Sequence, residues 1–349
     1  MPKLKDKDRE RFEQDIKGMQ AAIGSFFRAT ERLDCTEKLE NDSQSTALIG
    51  LHGKDSTDLI DAVEDADTDT MYNLVVQGVP VNGFDEDGYS PLIMAACCGH
   101  VKIAHLLLEM GARVNMAGIN RSTPLHVAVQ ANFPEISDLI LDCRPNLYKT
   151  MAGGKCPLFL AVQEGHRWAV TDLIESKADV DQISDEGRTP LHIAVELERG
   201  RIVRSLLEAS AKVNAVDKQG VTPLLLATHK GNCDIITALL EHGAELDTGP
   251  VMGNIQVARS TGNDRYFTPL LLAALEGAVP AATQLVEAGA DVNSSVLGIT
   301  PLLCACHSSN DKLIGLFVNS GEVKKAKAWS AASVMVTLHD RDDERLDNL

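Results

Sequence analysis

Aromatic residues and long apolar runs are what this chain has least of. Aromatics make up 4% of its 349 residues, so the core must be built mainly from alanine, leucine, isoleucine and valine. No window holds the roughly 20 consecutive apolar residues that a membrane-spanning helix needs. The opening segment, MPKLKDKDRERFEQ, lacks the apolar stretch of a secretory signal. We therefore expect no membrane insertion and no secretory leader.

Cysteine is sparse as well, with eight residues spread over the whole chain. Most of them lie in apolar segments with helical spacing. Without a secretory leader, such thiols are expected to be reduced and buried. This predicts a cytoplasmic or nuclear location.

Catalytic and metal-binding motifs are missing from the sequence. There is no GxSxG, HExxH or CxxC motif, and the AGGK fragment at 152–155 lacks the first glycine and the Ser or Thr of a phosphate loop. Cys304 and Cys306, beside His307, suggest a metal site, but on one helix the two thiols point about 200° apart and cannot share a metal. We therefore interpret them as core cysteines and expect no enzyme, no metal site and no cofactor.

Negative charge outweighs positive charge, with a net charge of −17. This balance argues against nucleic acid and anionic lipid as partners. Residues 55–87 contain ten acidic residues and no basic one. Two interpretations of this block stay open: a solvated end of the fold, or an acidic surface for a basic partner.

Proline, by contrast, recurs at a nearly fixed interval. Successive prolines of seven Pro-Leu motifs are 33, 33, 33, 33, 46 and 32 residues apart. Chance does not produce five intervals within one residue of 33, so the chain contains an internal repeat. The prolines of these motifs are Pro91, Pro124, Pro157, Pro190, Pro223, Pro269 and Pro301.

Each repeat carries the signals of two short helices. Thr followed by Pro is a favourable helix start. Glycines such as Gly99 and Gly165 fall where the first helix should end in a left-handed residue, and the pair Leu107 and Leu108 is typical of the second helix. The same register, extended backward, places Leu59 in an acidic unit without a TP motif, as expected of a terminal cap. The count is about eight units.

This pattern resembles the ankyrin repeat over residues 55–325. Segments that carry the resemblance include EGRTPLHIAVELERGRIVRSLLEASAKVN (186–214) and QGVTPLLLATHKGNCDIITALLEHGAELD (219–247). The resemblance implies an all-α, ankyrin-repeat solenoid of about eight helix-turn-helix units with short hairpin turns. It also implies that His126 and His192, in the TPLH motifs, are structural residues whose rings bond neighbouring loop backbone.

The segments outside the repeats divide the rest of the chain. Residues 1–37 are predicted to be an N-terminal amphipathic helical segment and 38–57 a linker. The ankyrin repeat domain follows at 58–325, with a C-terminal helical cap or tail at 326–349. The apolar seam within residues 7–33 leaves three roles open: docking on the first repeats, self-association as a coiled coil, or binding another protein.

In an ankyrin stack, turn tips and first helices form a concave face on which protein partners usually bind. The interval of 46 adds 13 residues to one turn, the finger at 248–267, which holds two arginines against one aspartate. Arg and Tyr dominate interface energetics, but longer loops are also cheaply tolerated, so a contact site and a neutral insertion both stay open. The predicted contact residues are Met252, Arg259, Arg265 and Tyr266 in the finger, and Asp85, Glu86, Asp87, Arg121, Arg188 and Lys218 at other tips.

One asparagine is a candidate for modification. Asn293, in LVEAGADVN (285–293), resembles the asparagines that asparaginyl hydroxylases modify in ankyrin repeats. The alternative is a turn-stabilising asparagine of the kind that most units of this type carry.

The leading hypothesis for function is a non-enzymatic scaffold that binds a protein partner through the concave face and fingertips. The alternative is a regulatory or adaptor subunit that docks a larger complex through its terminal helices. A piece of a longer protein is a further interpretation, because the last unit ends weakly.

Overall fold

The computed structural model describes residues 54–248, 268–296 and 299–320. Over these residues the chain forms sixteen α-helices arranged as eight consecutive pairs, and it contains no β-strand, only the bridge between Val296 and Ile299. The helices are α1 Lys54–Glu64, α2 Thr68–Val76, α3 Pro91–Cys98, α4 Val101–Glu109, α5 Pro124–Gln130, α6 Pro134–Asp142, α7 Pro157–Glu164, α8 Arg167–Glu175, α9 Pro190–Glu196, α10 Gly200–Glu208, α11 Pro223–Lys230, α12 Cys233–Glu241, α13 Pro269–Glu276, α14 Val279–Glu287, α15 Pro301–His307 and α16 Asp311–Asn319.

The chain divides into two compact units, whose described parts are residues 54–226 and 227–320, with the boundary inside α11. In the first unit, successive odd-numbered helices α1, α3, α5, α7 and α9 pack on one another, and each also packs on its own even-numbered partner. In the second unit, α13 packs on α15 in the same way. Both units are therefore built from the predicted stack of helical hairpins.

The starts of the odd-numbered helices follow from their sequence. Ser90, Thr268 and Thr300 are N-caps whose hydroxyl oxygens accept the backbone N–H of the third helical residue, and proline is the first helical residue in each case. Proline suits that position because its missing N–H has no intrahelical partner there. Pro134 opens α6 for the same reason.

Small residues set the spacing between the hairpins. Every odd-numbered helix from α3 onward has alanine as its fifth residue, and these alanines are fully buried. A methyl group lets neighbouring helices approach closely, so a larger side chain there would overpack the core by about 1–3 kcal/mol. The alanines are Ala95, Ala128, Ala161, Ala194, Ala227, Ala273 and Ala305.

The acidic first hairpin is part of the stack. Helix α1 begins at Lys54, inside the segment predicted as a linker, and buries Leu59 and Ile60. Most carboxylates of this hairpin are exposed, as expected of a terminal unit.

Asparagine and aspartate side chains join consecutive hairpins. The side-chain oxygen of Asn82 accepts the backbone N–H of Arg113 at 2.8 Å, Asn115 accepts that of Asn146 at 2.7 Å, and Asp181 accepts that of Lys212 at 2.8 Å. Each bond spans 31 residues. The repeat thus has a polar link as well as an apolar core.

Candidate binding surface

Two buried histidines fix the turns between hairpins. Nδ1 of His126 accepts the backbone N–H of Thr123 at 3.2 Å, and Nδ1 of His192 accepts that of Thr189 at 3.2 Å. Because Nδ1 is an acceptor, Nε2 carries the proton and donates to the carbonyl of Lys155 at 3.2 Å from His126 and to that of Val221 at 3.1 Å from His192. Each ring therefore ties the start of its own helix to the following turn.

Burial keeps both rings neutral. His126 is fully buried, and the loss of hydration lowers its pKa from 6.5 to about 4. The pKa of His192 is lowered for the same reason. A neutral ring with both nitrogens bonded is a structural element rather than a catalytic base, which accords with the role that the family resemblance implies.

The turn tips are bonded to one another through the backbone. Ala152 donates its N–H to the carbonyl of Asn120 at 3.2 Å, Asp185 to that of Gly153 at 3.0 Å, and Lys218 to that of Glu186 at 3.1 Å. Four consecutive tips in residues 118–221 thus form a connected row. The two middle tips are bonded on both sides, and the first and last tips on one side each.

Beside this row, polar side chains reach from the turns to the odd-numbered helices. Nζ of Lys155 donates to Oε1 of Gln163 at 3.0 Å, and a guanidinium nitrogen of Arg188 donates to Oε2 of Glu196 at 2.6 Å. Lys155 and Arg188 occupy equivalent places, two residues before the motif proline. Lys155 is not among the predicted contacts, although its position two residues before Pro157 matches that of Arg188 before Pro190.

Arg188 is not an exposed tip residue, and its contact with a partner stays a prediction against which its burial argues. Its side chain is only 6% exposed, and its guanidinium also lies 3.8 Å from Glu186 and 3.9 Å from Asp217. Three carboxylates therefore compensate one buried charge. The repeat register places Arg188 in the turn, but the side chain folds inward toward Glu196 instead of outward.

Asp85 likewise closes its own turn, and its contact with a partner stays a prediction. It is 9% exposed, and its carboxylate accepts the backbone N–H of Tyr89 at 2.7 Å. Burial raises the pKa of Asp85, while that hydrogen bond opposes the shift. Asp217 closes its own turn by accepting the N–H of Val221 at 2.9 Å. Each of these two carboxylates is hydrogen-bonded within its own turn, although its residue lies at a tip.

The remaining described tip residues are exposed. Glu86, Asp87, Arg121 and Lys218 all face solvent. Arg121 has a φ of 60° at a place where other turns have Gly88, Gly154, Gly187 and Gly220. Left-handed backbone is unfavourable for a residue with a side chain, so Arg121 lowers the stability of this turn relative to glycine. These four residues stay predicted contacts.

The long finger and the chain ends lie outside the described residues. Met252, Arg259, Arg265 and Tyr266 therefore stay predictions, as do the helix and self-association at 7–33 and the tail at 326–349. The hairpins on either side of the finger keep the repeat: the carboxylate of Asp247 accepts the N–H of Asp291 at 3.4 Å, 44 residues away instead of 31. The difference of 13 equals the predicted insertion, which lies in the sequence between α12 and α13.

Asn293 occupies the same repeat position as Asn82 and Asn115. It is partly exposed, and its backbone N–H is bonded to the carboxylate of Asp291 at 2.9 Å. This environment suits the turn-stabilising role. Hydroxylation of Asn293 stays a prediction.

The cysteines of α15 have no metal-binding arrangement. Burial raises the pKa of Cys304 to about 12 and that of Cys306 to about 11, so both thiols stay protonated. No group of three or more His, Cys, Asp or Glu residues in the described ranges could hold a metal ion. Within the same ranges, no helix is long and apolar enough to cross a membrane.

Comparisons with known proteins agree with this architecture. A family model for ankyrin repeats in three copies matches residues 29–118, 59–151, 115–184 and 158–249. Among solved structures, the ankyrin repeat domain of Bcl-3, described as a unique member of the IkappaB protein family, is 27% identical, with a TM-score of 0.58. That match covers 67% of this chain and 100% of the Bcl-3 domain chain. A comparison with curated protein sequences finds no match. The family match extends over more than half of the sequence, and the chain belongs to the ankyrin repeat family.

Proposed function

We propose that this protein is a non-enzymatic interaction scaffold that binds a partner protein through its turn tips and the adjacent face of its odd-numbered helices. Ankyrin repeats are in general protein-interaction modules, and the comparison with Bcl-3 supports that class of function. We further propose a cytoplasmic or nuclear location, which the reduced state expected of the cysteines favours.

The observation that carries the proposal is the connected row of tips. Consecutive tips from Asn120 to Lys218 are hydrogen-bonded to one another through their backbones. His126 and His192 also bond the carbonyl groups of two of these turns. A surface that is already ordered loses little conformational entropy when a partner binds. The row therefore offers rigid positions from which Arg121, Asp185 and Lys218 can contact a partner.

The row has exposed basic residues, although the net charge of the chain is negative. Arg121 and Lys218 are basic tips on an acidic protein, with the acidic Asp185 between them. Such an alternation selects a partner by the order of its charges more than by total charge. We expect charge reversal at the basic tips to weaken partner binding.

The experiment is crosslinking mass spectrometry in native cells, followed by binding measurements with the recovered partner. The double variant Arg121→Glu and Lys218→Glu should weaken binding by about tenfold or more. Lys102→Glu with Lys312→Glu is the matched control, because both lysines are exposed on even-numbered helices and the net charge changes equally. If both double variants bind like the wild type, or weaken binding equally, the tips are not the binding surface.

A further inference from the structure

Four arginines lie at the start or in the first half of two neighbouring helices in the first compact unit. Arg167 is the first residue of α8, Arg199 precedes α10, and Arg201 and Arg204 lie on α10. All four are exposed. We call Arg167, Arg199, Arg201 and Arg204 the arginine patch; it lies on even-numbered helices and is separate from the turn tips.

Helix α8 packs on α10, so the arginine patch lies on two neighbouring helices. The guanidinium carbon of Arg199 lies 2.7 Å from the point where a Cβ on Gly165 would stand, so it covers the loop before α8. Trp168 lies in the same region, stacked with His166 at 6.5 Å between ring centres and donating from its indole N–H to Asn132 at 2.8 Å. The patch therefore has an aromatic side chain in a fixed orientation at its edge.

Comparison with equivalent positions shows that no other hairpin has an arginine or a lysine at the place of Arg204, where the neighbouring hairpins have Thr171 and Thr237. Arg201, the second residue of α10, has basic counterparts in Lys102 and Lys312, whereas the other hairpins have Glu135, Trp168, Asp234 and Pro280 there. Packing places no demand on the sign of the charge at this position, since the other hairpins of the same fold carry other residues there. Residues 201 and 204 also lie on the same helix face, one turn apart.

The arginine side chains have no structural partner among the described residues. None of the four guanidinium groups forms an ion pair or hydrogen bond there. Arg167 and Arg201 also lie in the first turn of their helices, where the helix dipole disfavours a positive charge. Only Arg199 has a favourable neighbour, the carboxyl end of α7. The other three charges are therefore not explained by the stability of the fold.

The neighbouring surface has the opposite sign. Asp138 on α6 and Glu175 on α8 both raise the pKa of Asp172, after the larger effect of its burial. The arginine patch is thus a positive island at the end of an acidic surface, on a chain with a net charge of −17. A short anionic segment would be attracted to this island, whereas a long one would meet repulsion on either side.

We propose that the arginine patch binds a short acidic segment of a partner protein, with Arg201 and Arg204 holding carboxylates and Trp168 packing against an adjacent apolar side chain. Guanidinium groups form paired hydrogen bonds with carboxylates, and Arg and Trp are frequent hot-spot residues of interfaces. This surface is additional to the turn tips, so a partner can engage either one without the other.

The test uses the full chain with the Trp329→Phe substitution, because the chain has two tryptophans and Trp168 then reports alone. The probe is a labelled oligoglutamate peptide containing one leucine, compared with the corresponding oligoglutamine peptide. At about 0.1 M salt, only the acidic peptide should bind and shift Trp168 emission, and binding should weaken as salt screens the charges. Arg201→Gln with Arg204→Gln should weaken binding by about tenfold.

The matched control is Arg113→Gln with Arg144→Gln, two exposed arginines away from the patch whose loss changes the net charge equally. Equal weakening by both double variants, or no binding of the acidic peptide, would overturn the proposal. Tighter competition by single-stranded DNA of equal charge would assign the patch to nucleic acid and overturn it too. Light scattering that shows self-association lost only in Arg201→Gln with Arg204→Gln would assign it to a second copy of the chain. The tip variants Arg121→Glu and Lys218→Glu should leave peptide binding unchanged, which separates this test from that of the proposed function.

Discussion

The hairpins that contain TPLH and those that contain TPLL fill the same buried position in different ways. His126 and His192 are fully buried and bonded at both ring nitrogens, whereas Leu225 and Leu271 fill the place with an apolar side chain. In the first case the side chain holds the following turn by a hydrogen bond, whereas in the second the side chain contributes apolar burial only. The two kinds of hairpin share a fold, but only the histidine hairpins fix their turns through this side chain.

This difference bears on binding. The tips from Asn120 to Lys218 lie in the part of the stack that contains both histidines, and their backbones are joined in a row. The long finger follows α12, after a hairpin in which leucine replaces histidine. The hydrogen-bonded row presents its charges at fixed distances from one another. The proposed binding surface rests on this row and not on the long finger.

The largest expected effect comes from removing a histidine. His192→Ala should lower the free energy of unfolding by about 3–5 kcal/mol, because it leaves a cavity, removes the partner of the Thr189 N–H and removes one of the two donors to the Val221 carbonyl, which keeps the Asp217 N–H. His192→Leu, which restores the apolar volume, should still cost about 2 kcal/mol for the two lost hydrogen bonds. Urea unfolding followed by circular dichroism measures both.

Leu271→Ala provides the contrast in a TPLL hairpin. It should cost about 2–5 kcal/mol through its cavity alone, since it leaves no polar group unpaired. If His192→Leu proves as stable as the wild type, the histidine hydrogen bonds do not hold the turns, and the distinction between the two kinds of hairpin fails.

Acid should act on the histidine hairpins specifically. The folded-state pKa of His126 is about 4, below its ordinary value of 6.5, so the unfolded chain binds the proton first as the pH falls. The contribution of the neutral ring is therefore complete above pH 6.5 and is lost progressively down to pH 4. Between pH 7 and pH 5, His126 alone should cost about 2 kcal/mol.

The measurement is the free energy of unfolding of the wild type and of His126→Leu at a series of pH values. The variant starts less stable but should lose less stability between pH 7 and pH 5. Parallel curves for the two proteins would show that His126 is not the group that titrates.

The smallest effect concerns the polar links between hairpins. The bond from the Lys212 N–H to Asp181 is 2.8 Å long, and the equivalent bond from the Asp291 N–H to Asp247 is 3.4 Å. Asp181→Ala should cost about 1 kcal/mol, and Asp247→Ala only a few tenths because its longer bond is weaker. Equal costs in thermal unfolding would mean that the insertion after Asp247 does not loosen this link.

The sequence predicts the helices well because their signals are local. Proline at the first helical position and alanine at the fifth recur in each motif, and each follows from a single backbone or packing requirement. Side-chain direction at the tips is different, since it depends on neighbours that the repeat does not specify. Asp85 and Arg188 belong to the turns as predicted, yet Asp85 bonds the Tyr89 N–H and Arg188 folds onto Glu196.

The arginine patch also depends on neighbours that the sequence alone does not specify. The segment ERGRIVR shows three arginines close together in the sequence, but the helix geometry is needed to place Arg201 and Arg204 on one face, and the packing of α8 on α10 is needed to add Arg167 and Trp168. The repeat register then shows that the charge of Arg204 is not shared by the other hairpins, whereas Arg201 has basic counterparts in Lys102 and Lys312. The sequence alone identifies the arginines, and the packing of the hairpins determines which of them lie on neighbouring helices.

Amide hydrogen exchange of the full chain, free and bound to the partner recovered by crosslinking, tests the central claim most directly. The account predicts that the partner adds protection at the tips near residues 118–122, 151–155, 184–188 and 217–221 and in the odd-numbered helices beside them. Protection added only on the even-numbered helices, or only outside the repeats, would contradict it.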